Sequence, residues 1–299
     1  MVFNSLTFII FFAIVLALYY APGKWRSKKI MLLVASYLFY AAWNPPLVAL
    51  IWISTVVDWF SAKGIARAET TWQKRGWTAL SLSTNLGLLG AFKYGEFFLN
   101  NFELLMESAG VAYQAPAIDI VLPVGISFYT FQTLSYTLDV YRDEMDPWDS
   151  LLDFSLFVTF FPQLVAGPIV RARNFLPQLQ ERRAASTAQF GWGLSLLTIG
   201  LFEKQVIADR VFAPVADKVY GAGPEAALTT LEAWSGTLAF SGQIFCDFAG
   251  YSTCAIGVAM CMGFALPDNF RFPYAATGFS DFWQRWHISL SEWLRDYLY

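Results

Sequence analysis

The chain has 299 residues, of which 56% are hydrophobic, 18% aromatic and only 14% charged, with a net charge of −3. That balance excludes a nucleic-acid binder, which needs clustered positive surface against phosphates, and lies far from a water-soluble domain. The 28 Phe, 14 Tyr and 12 Trp exceed what a soluble core of this size holds, whereas Trp and Tyr gather at membrane interfaces.

Leu6 to Tyr20 is an unbroken apolar run. No Lys or Arg precedes it, and Tyr20-Ala21-Pro22-Gly23 is a poor small-residue cleavage site, so it reads as a retained first transmembrane helix rather than a signal peptide. From Ile30 to Val57 no charge occurs, and Asn44-Pro45-Pro46 removes backbone donors in the middle, predicting a hairpin of two short, tilted or partly buried segments. Further candidate spans are Thr78 to Phe92, Ile120 to Leu138, Phe154 to Ala166, Phe190 to Phe202, and Ala233 to Leu266. The last has Asp247 inside it and is expected to contain two helices. Several are short, and Pro123, Pro162, Gly167 and Pro168 interrupt others, which predicts re-entrant or broken helices shielded by protein or lining a wet cavity. The expected fold is all-α: a single domain over 1–299, a polytopic transmembrane helical bundle with an amphipathic helix at its C-terminal end.

Lys24, Arg26, Lys28 and Lys29 follow the first segment, and Lys63, Arg67, Lys74 and Arg75 follow the third, so both loops are expected on the cytoplasmic side. The uncharged turn at Asn44 to Pro46 and the acidic stretch Asn100 to Asp119 then fall outside, as does the N-terminus. Arg171, Arg173, Arg182 and Arg183 mark another cytoplasmic stretch. Cys246, Cys254 and Cys261 share one apolar run at roughly helical spacing, which points to packing. No Gly-rich phosphate loop, Cys/His metal spacing or serine-hydrolase elbow occurs, so neither a metal nor a bound cofactor is expected.

The last segment, Asp281 to Tyr299, has helical periodicity. At ~100° per residue, Phe282, Trp286, Leu290, Trp293 and Tyr297 share one arc, while Asp281, Arg285, Glu292, Arg295 and Asp296 share another. His287, the only histidine, falls with Trp283, Leu294 and Leu298 on the apolar side. Two readings stand: a buried, hydrogen-bonded structural residue, or a proton-transfer group suited to neutral pH. Phe161-Pro-Gln-Leu-Val-Ala-Gly-Pro-Ile-Val-Arg171 is similarly open. It reads either as a re-entrant loop whose Arg171 and Arg173 meet an anionic donor such as a nucleotide-bearing thioester, or as a helix break followed by topology-setting arginines. Asp247 and Lys204 are charges in apolar sequence; Asp247 is a site candidate, and Lys204 suits an ion pair or interfacial snorkelling.

Leu122-Pro-Val-Gly-Ile-Ser-Phe-Tyr129, Phe161-Pro-Gln-Leu-Val-Ala-Gly-Pro168, Asp247-Phe-Ala-Gly-Tyr-Ser252 and Phe282-Trp-Gln-Arg-Trp-His-Ile-Ser-Leu-Ser-Glu-Trp-Leu-Arg-Asp-Tyr-Leu-Tyr299 resemble, in order, motifs of bacterial membrane-bound O-acyltransferases. Met1-Val-Phe-Asn-Ser5 and Val34-Ala-Ser-Tyr-Leu-Phe-Tyr40 are similar too, so the resemblance covers essentially the whole chain and is nearest to the alginate O-acetyltransferase branch. It implies a bundle with a central tunnel in the bacterial cytoplasmic (inner) membrane. Through that tunnel an acyl group passes from a cytoplasmic thioester co-substrate, acetyl-CoA or similar, to hydroxyls of an extracytoplasmic polysaccharide such as alginate, with periplasmic acetylation proteins as partners. His287 matches the first of two family histidines, and Arg171, Arg173, Asp247, Arg285 and Trp286 become donor or tunnel candidates. The second histidine, in a Trp-His-Gly context, has no counterpart before Tyr299. The sequence is therefore expected to be C-terminally incomplete, and inactive as a fragment. Gln163 stands where some relatives have His and Thr253 where some have Asp, departures from the alginate pattern. D-alanyl transfer to teichoic acid, a transporter or flippase, and a membrane scaffold are the competing readings.

Overall fold

The computed structural model describes residues 3–114, 116, 122–223 and 227–299, and the described residues form helices joined by turns, with no strand. Met1 and Val2, the first residues of the span expected from Ile120, and the end of the acidic stretch at Asp119 lie outside them. Helix α1 covers Leu6–Tyr20 as expected, opened by the Ser5 side chain, which accepts the Phe8 N–H. Helix α2 is Trp25–Ala41. Its buried Lys28 donates to the Leu18 and Ala21 carbonyls, which a short helix end leaves without partners. The predicted hairpin is present: a 3-10 turn, Pro45–Leu47, follows Asn44 and leads into α3, Val48–Arg67.

Helix α4, Thr71–Ser108, starts at a capping box of Thr70 and Gln73 and runs far beyond the predicted Thr78 to Phe92. Helix α5 is Ile126–Tyr141, begun by Gly125 at φ +76°, where a Cβ would also stand 2.5 Å from the Leu164 carbonyl oxygen. Helix α6, Leu151–Thr159, stops ahead of Pro162, and the chain runs on without helix to Arg171. Both ends of this excursion lie at one end of the bundle, Asp153 on Lys29 at 2.6 Å and Arg173 on Glu144. The expected break at Pro162 is thus a dip into the protein and back. The short α7, Ala172–Phe175, and a 3-10 turn, Leu176–Leu179, follow.

Helix α8, Thr187–Phe202, continues without interruption through a wide-turned π-helical stretch, Glu203–Phe212, into α9, Ala213–Tyr220, an extension the sequence reading missed. Helix α10 is Thr230–Cys261. The expectation of two helices in Ala233 to Leu266 is corrected. No Pro interrupts the run before Pro267, and Asp247 within it is paired with Lys204 of the Glu203–Phe212 stretch packed against α10. The terminal helix is corrected in the opposite sense: the single amphipathic helix is two, α11 Phe279–Trp283 and α12 Ile288–Tyr297, with His287 in the link.

Three devices hold these elements. Phe8, Phe39, Phe157, Phe160, Phe161, Phe175 and Phe264 form a buried aromatic core among α1, α2, α6 and the segments after them. Helices α8 and α10 run antiparallel with backbones nearly touching: a Cβ on Gly200 would lie 2.5 Å from the Gly250 carbonyl oxygen, and one on Gly193 would lie 2.8 Å from that of Gly257. Cys254 and Cys261 are buried free thiols in the same seam, as packing predicts. A polar clasp, unforeseen from sequence, joins α3, α4 and α5. The fully buried Asp58 carboxyl accepts from Ser81 and, through both oxygens at 2.9 Å, from Asn85, whose own Oδ1 accepts from Ser54 and Thr133.

Charge collects at one end. Lys29 on Asp153, Lys63 on Asp149, Lys74 on Asp143 and Arg173 on Glu144 place the predicted basic loops together, beside Tyr19, which donates to the Arg183 carbonyl. Two described stretches, Pro45–Arg67 and Thr230–Cys261, are long and apolar enough to cross a bilayer; Leu6–Tyr20 is apolar but shorter.

Gly200→Ala is expected to lower stability by about 1–3 kcal/mol, because the neighbouring backbone must shift to admit one methyl. Asn85→Ala, which strips two donors from a buried carboxyl, is expected to cost about 2 kcal/mol. Denaturant titration in detergent micelles checks both; an unchanged midpoint for Gly200→Ala would remove close approach as the reason for glycine there.

Candidate functional site

His287 adopts φ +44° and ψ 53°, a left-handed conformation a side-chain-bearing residue takes only when its surroundings impose it. The surroundings are the polar link after α10. There the Asn269 carbonyl accepts the Ile288 N–H at 2.9 Å, and the Arg271 N–H donates to the Arg285 carbonyl at 2.9 Å, so residues 269–271 clip residues 285–288 in place. The His287 carbonyl in turn accepts from Leu290 and Ser291, starting α12.

The imidazole is 8% exposed and boxed by phenylalanines: Phe248 edge-on at 4.7 Å between ring centres, with Phe128 and Phe270 nearly parallel at 6.0 Å and 6.5 Å. Its Nδ1 lies 3.1 Å from Asn269 Oδ1. The link belongs to neither of the two stretches long and apolar enough to cross a bilayer, and burial pulls the ring's pKa below the ordinary histidine value, favouring the neutral base. Around Asn269, its Nδ2 donates to Ser252 Oγ at 3.0 Å, and the Ser289 hydroxyl meets Oδ1 at 2.9 Å while accepting the Ile169 N–H at 2.9 Å.

Phe128, Phe248 with Ser252, and His287 with Ser289 belong to three of the four sequence blocks singled out above, and Ile169 directly follows the fourth. Blocks more than a hundred residues apart therefore meet at one imidazole. Of the other candidates, only Trp286 shares this neighbourhood, stacked on Phe282 and edge-on to Phe270. An open, mostly apolar groove of about 620 Å³ adjoins that cluster, lined by Tyr274, Phe279, Phe282 and Trp283 among others.

The remaining candidates are engaged elsewhere. Arg285 binds Asp281 at 2.6 Å, which with the Thr277 N–H holds that carboxyl below its usual pKa. Asp247 pairs with Lys204. Arg173 faces Glu144, and Arg171 pairs with Asp296 beneath the Tyr297 ring. These last contacts, with Tyr297 Oη donating to the buried Asp139, Arg142 donating to the Asp296 carbonyl, and Trp293 Nε1 donating to the Phe131 carbonyl at 2.9 Å, dock α12 on α5. Arg171 thus stands at the far end of α12 from His287, about 15 Å of helix away.

Asn269, Phe128, Phe248, Ser252 and Ser289 escaped the sequence reading as site residues. Phe128, Phe248, Ser252 and Ser289 lay inside quoted blocks, but nothing in their spacing aims them at the histidine. Asn269 lay between blocks, and its one mark was to be a polar residue in the Pro267 to Phe270 link.

Residues 145–299 match the profile of the MBOAT, membrane-bound O-acyltransferase, family. The chain is 40% identical over its whole length to a probable alginate O-acetylase of Pseudomonas putida, of which it covers 61%. It is 37% identical to the peptidoglycan O-acetyltransferase of Helicobacter pylori, with 91% of this chain and 55% of that protein aligned. It is 32% identical to the teichoic acid D-alanyltransferase of Bacillus subtilis, across 62% of this chain and 46% of that one. The chain therefore spans about half to six-tenths of the length of these relatives.

If Arg171 serves to dock α12, Arg171→Ala should speed amide exchange in residues 288–297 about fivefold, the worth of a half-screened ion pair of ~1 kcal/mol, and leave α8 and α10 protected. Hydrogen-exchange mass spectrometry reads this segment by segment.

Proposed function

The chain belongs to the membrane-bound O-acyltransferase family, and we propose that the protein of which its sequence is read transfers an acyl group, acetyl in the first instance, from a cytoplasmic thioester to hydroxyls of an extracytoplasmic polysaccharide. The observation that carries this reading is the convergence of three of the four sequence blocks around the buried imidazole of His287, with Ile169, next after the fourth, bonded to the adjoining Ser289. An imidazole free of a carboxylate partner, inside an aromatic box, is suited to take a proton from a hydroxyl as that hydroxyl attacks a thioester carbonyl, or to hold the hydroxyl for a second base. The products balance as an ester and a free thiol, the hydroxyl proton passing through the base to the thiolate.

The gathered ionic end of the bundle supports placing the loops of Lys24 to Lys29, Lys63 to Arg75 and Arg171 to Arg183 on the cytoplasmic face of a multi-pass protein, with the N-terminus outside. The apolar groove beside Trp286 is a reasonable seat for an acyl chain or a lipid tail. Alginate and peptidoglycan are the acceptors named for the relatives with the longer matches, and D-alanyl transfer to teichoic acid for a shorter one. A polysaccharide hydroxyl is accordingly the acceptor class, with periplasmic proteins completing delivery.

The test is transfer of radiolabelled acetyl from a thioester to polysaccharide in membranes containing the whole protein. His287→Ala is expected to lower transfer at least a hundredfold, the scale of a general base or its aide, with membrane insertion unchanged. Undiminished transfer sinks the role of His287. Export of polysaccharide or its precursor without acyl transfer from the thioester would establish a flippase instead.

A further inference from the structure

We propose that Asn269 is a positioning residue that holds the proton of neutral His287 on Nδ1, so that Nε2 is the nitrogen presented to a reacting hydroxyl. The argument runs through groups that have no choice of role. The Ile169 N–H can only donate, and it meets Ser289 Oγ at 2.9 Å, so that oxygen is an acceptor there and its own hydrogen is free to point to Asn269. The Ser289 N–H can likewise only donate, and it lies 3.3 Å from the same Asn269 atom. Two donors aimed at one atom identify it as the carboxamide oxygen; the amide nitrogen then faces Ser252 Oγ, at 3.0 Å. The third group on that oxygen is His287 Nδ1, at 3.1 Å, and beside an acceptor it must carry the hydrogen. In a neutral ring that leaves the lone pair on Nε2.

The arrangement is built rather than incidental. Asn269 is 2% exposed, and its main-chain carbonyl also accepts the Ile288 N–H, so one residue grips both the ring and the peptide next to it. Among the described residues, the ring's stacking and hydrogen-bond partners are Phe128, Phe248, Phe270 and Asn269, and the Asn269 side chain is shared with Ser252 and Ser289, all of them uncharged. The charges next along the chain are paired away: Asp268 with Arg271, Arg285 with Asp281, Asp247 with Lys204. A neutral amide in this position orients the imidazole without raising its basicity, as a carboxylate would.

The use of Nε2 as a base rests on the acyltransfer reading, whereas the tautomer itself does not, and the single histidine in the chain makes the tautomer directly observable. The chain, carrying a histidine-free affinity tag and labelled with ¹⁵N-histidine in a lipid nanodisc, gives ring-nitrogen signals from His287 alone. The expected spectrum of the neutral ring shows a protonated Nδ1 and an unprotonated Nε2. Asn269→Ala should scatter the proton over both nitrogens. Asn269→Asp should keep it on Nδ1 and move the titration midpoint up by about one pH unit or more, together with the acid limb of transfer activity in membranes containing the whole protein, because a carboxylate stabilises the imidazolium. A protonated Nε2 in the unaltered chain, or an unchanged Nδ1-H population in Asn269→Ala, overturns the proposal. Should Asn269→Ala fail to fold, the unaltered chain and Asn269→Asp decide it. Absence of acyl transfer by the whole protein, with the tautomer as stated, would count against the function and leave the positioning role standing.

Discussion

A backbone that leaves helical geometry inside an apolar bundle must find a partner for each N–H and C=O it frees, because no bulk water is there to take them. The site lies where one such segment, the stretch from Phe160 to Arg171 packed among helices, meets a second largely non-helical stretch, Leu266 to His287, which is buried at Leu266, Asn269, Pro273 and His287 and mostly exposed elsewhere. They close their needs partly on each other and on nearby side chains: Ile169 on Ser289, Ile288 on Asn269, Arg271 on Arg285, and Phe161 on the Ser36 hydroxyl. The histidine stands at their junction, and its left-handed backbone is the cost of letting α12 start in a new direction within one residue.

Around that junction the molecule is stiff for separate reasons on each side. Behind α6 and α7, the fused phenylalanine core leaves little freedom to rearrange without opening a cavity. On the α3–α5 side, the Asp58–Asn85 clasp ties three helices by hydrogen bonds that would be lost together if one helix slid. Helix α12 is pinned at its far end by ion pairs and aromatic contacts at Arg171, Asp296 and Tyr297. The imidazole is held between rigid elements, an arrangement suited to presenting a ring nitrogen in one orientation.

What the sequence made legible was local and one-dimensional. The apolar run Leu6 to Tyr20, the Asn44-Pro45-Pro46 hairpin and the break at Pro162 follow from side-chain polarity and from proline's missing N–H, and they are as expected. The break before His287 was not legible. Residues 281 to 299 keep a clean helical period through it, and the interruption comes from Asn269, which is distant in sequence and silent in pattern. Periodicity likewise hid the continuation of α8 through Glu203–Phe212 and the unity of α10, both settled by pairing between helices. The histidine was visible as a singular residue in a recognisable block; its partners, supplied by chain folding, were not.

The glycine seam between α8 and α10 acts on the site as an indexing mechanism. Gly250 faces α8, and at 100° per residue Phe248 and Ser252 point to the opposite side of α10, toward the imidazole and Asn269. Sliding α10 by one residue would displace the histidine's wall by 1.5 Å and rotate it through 100°. It would also drive a side chain into the backbone of α8. The permitted heights of that wall are therefore discrete, set by where two helices can afford to have no side chain, and a substitution in this seam would be read at the histidine as a change of register.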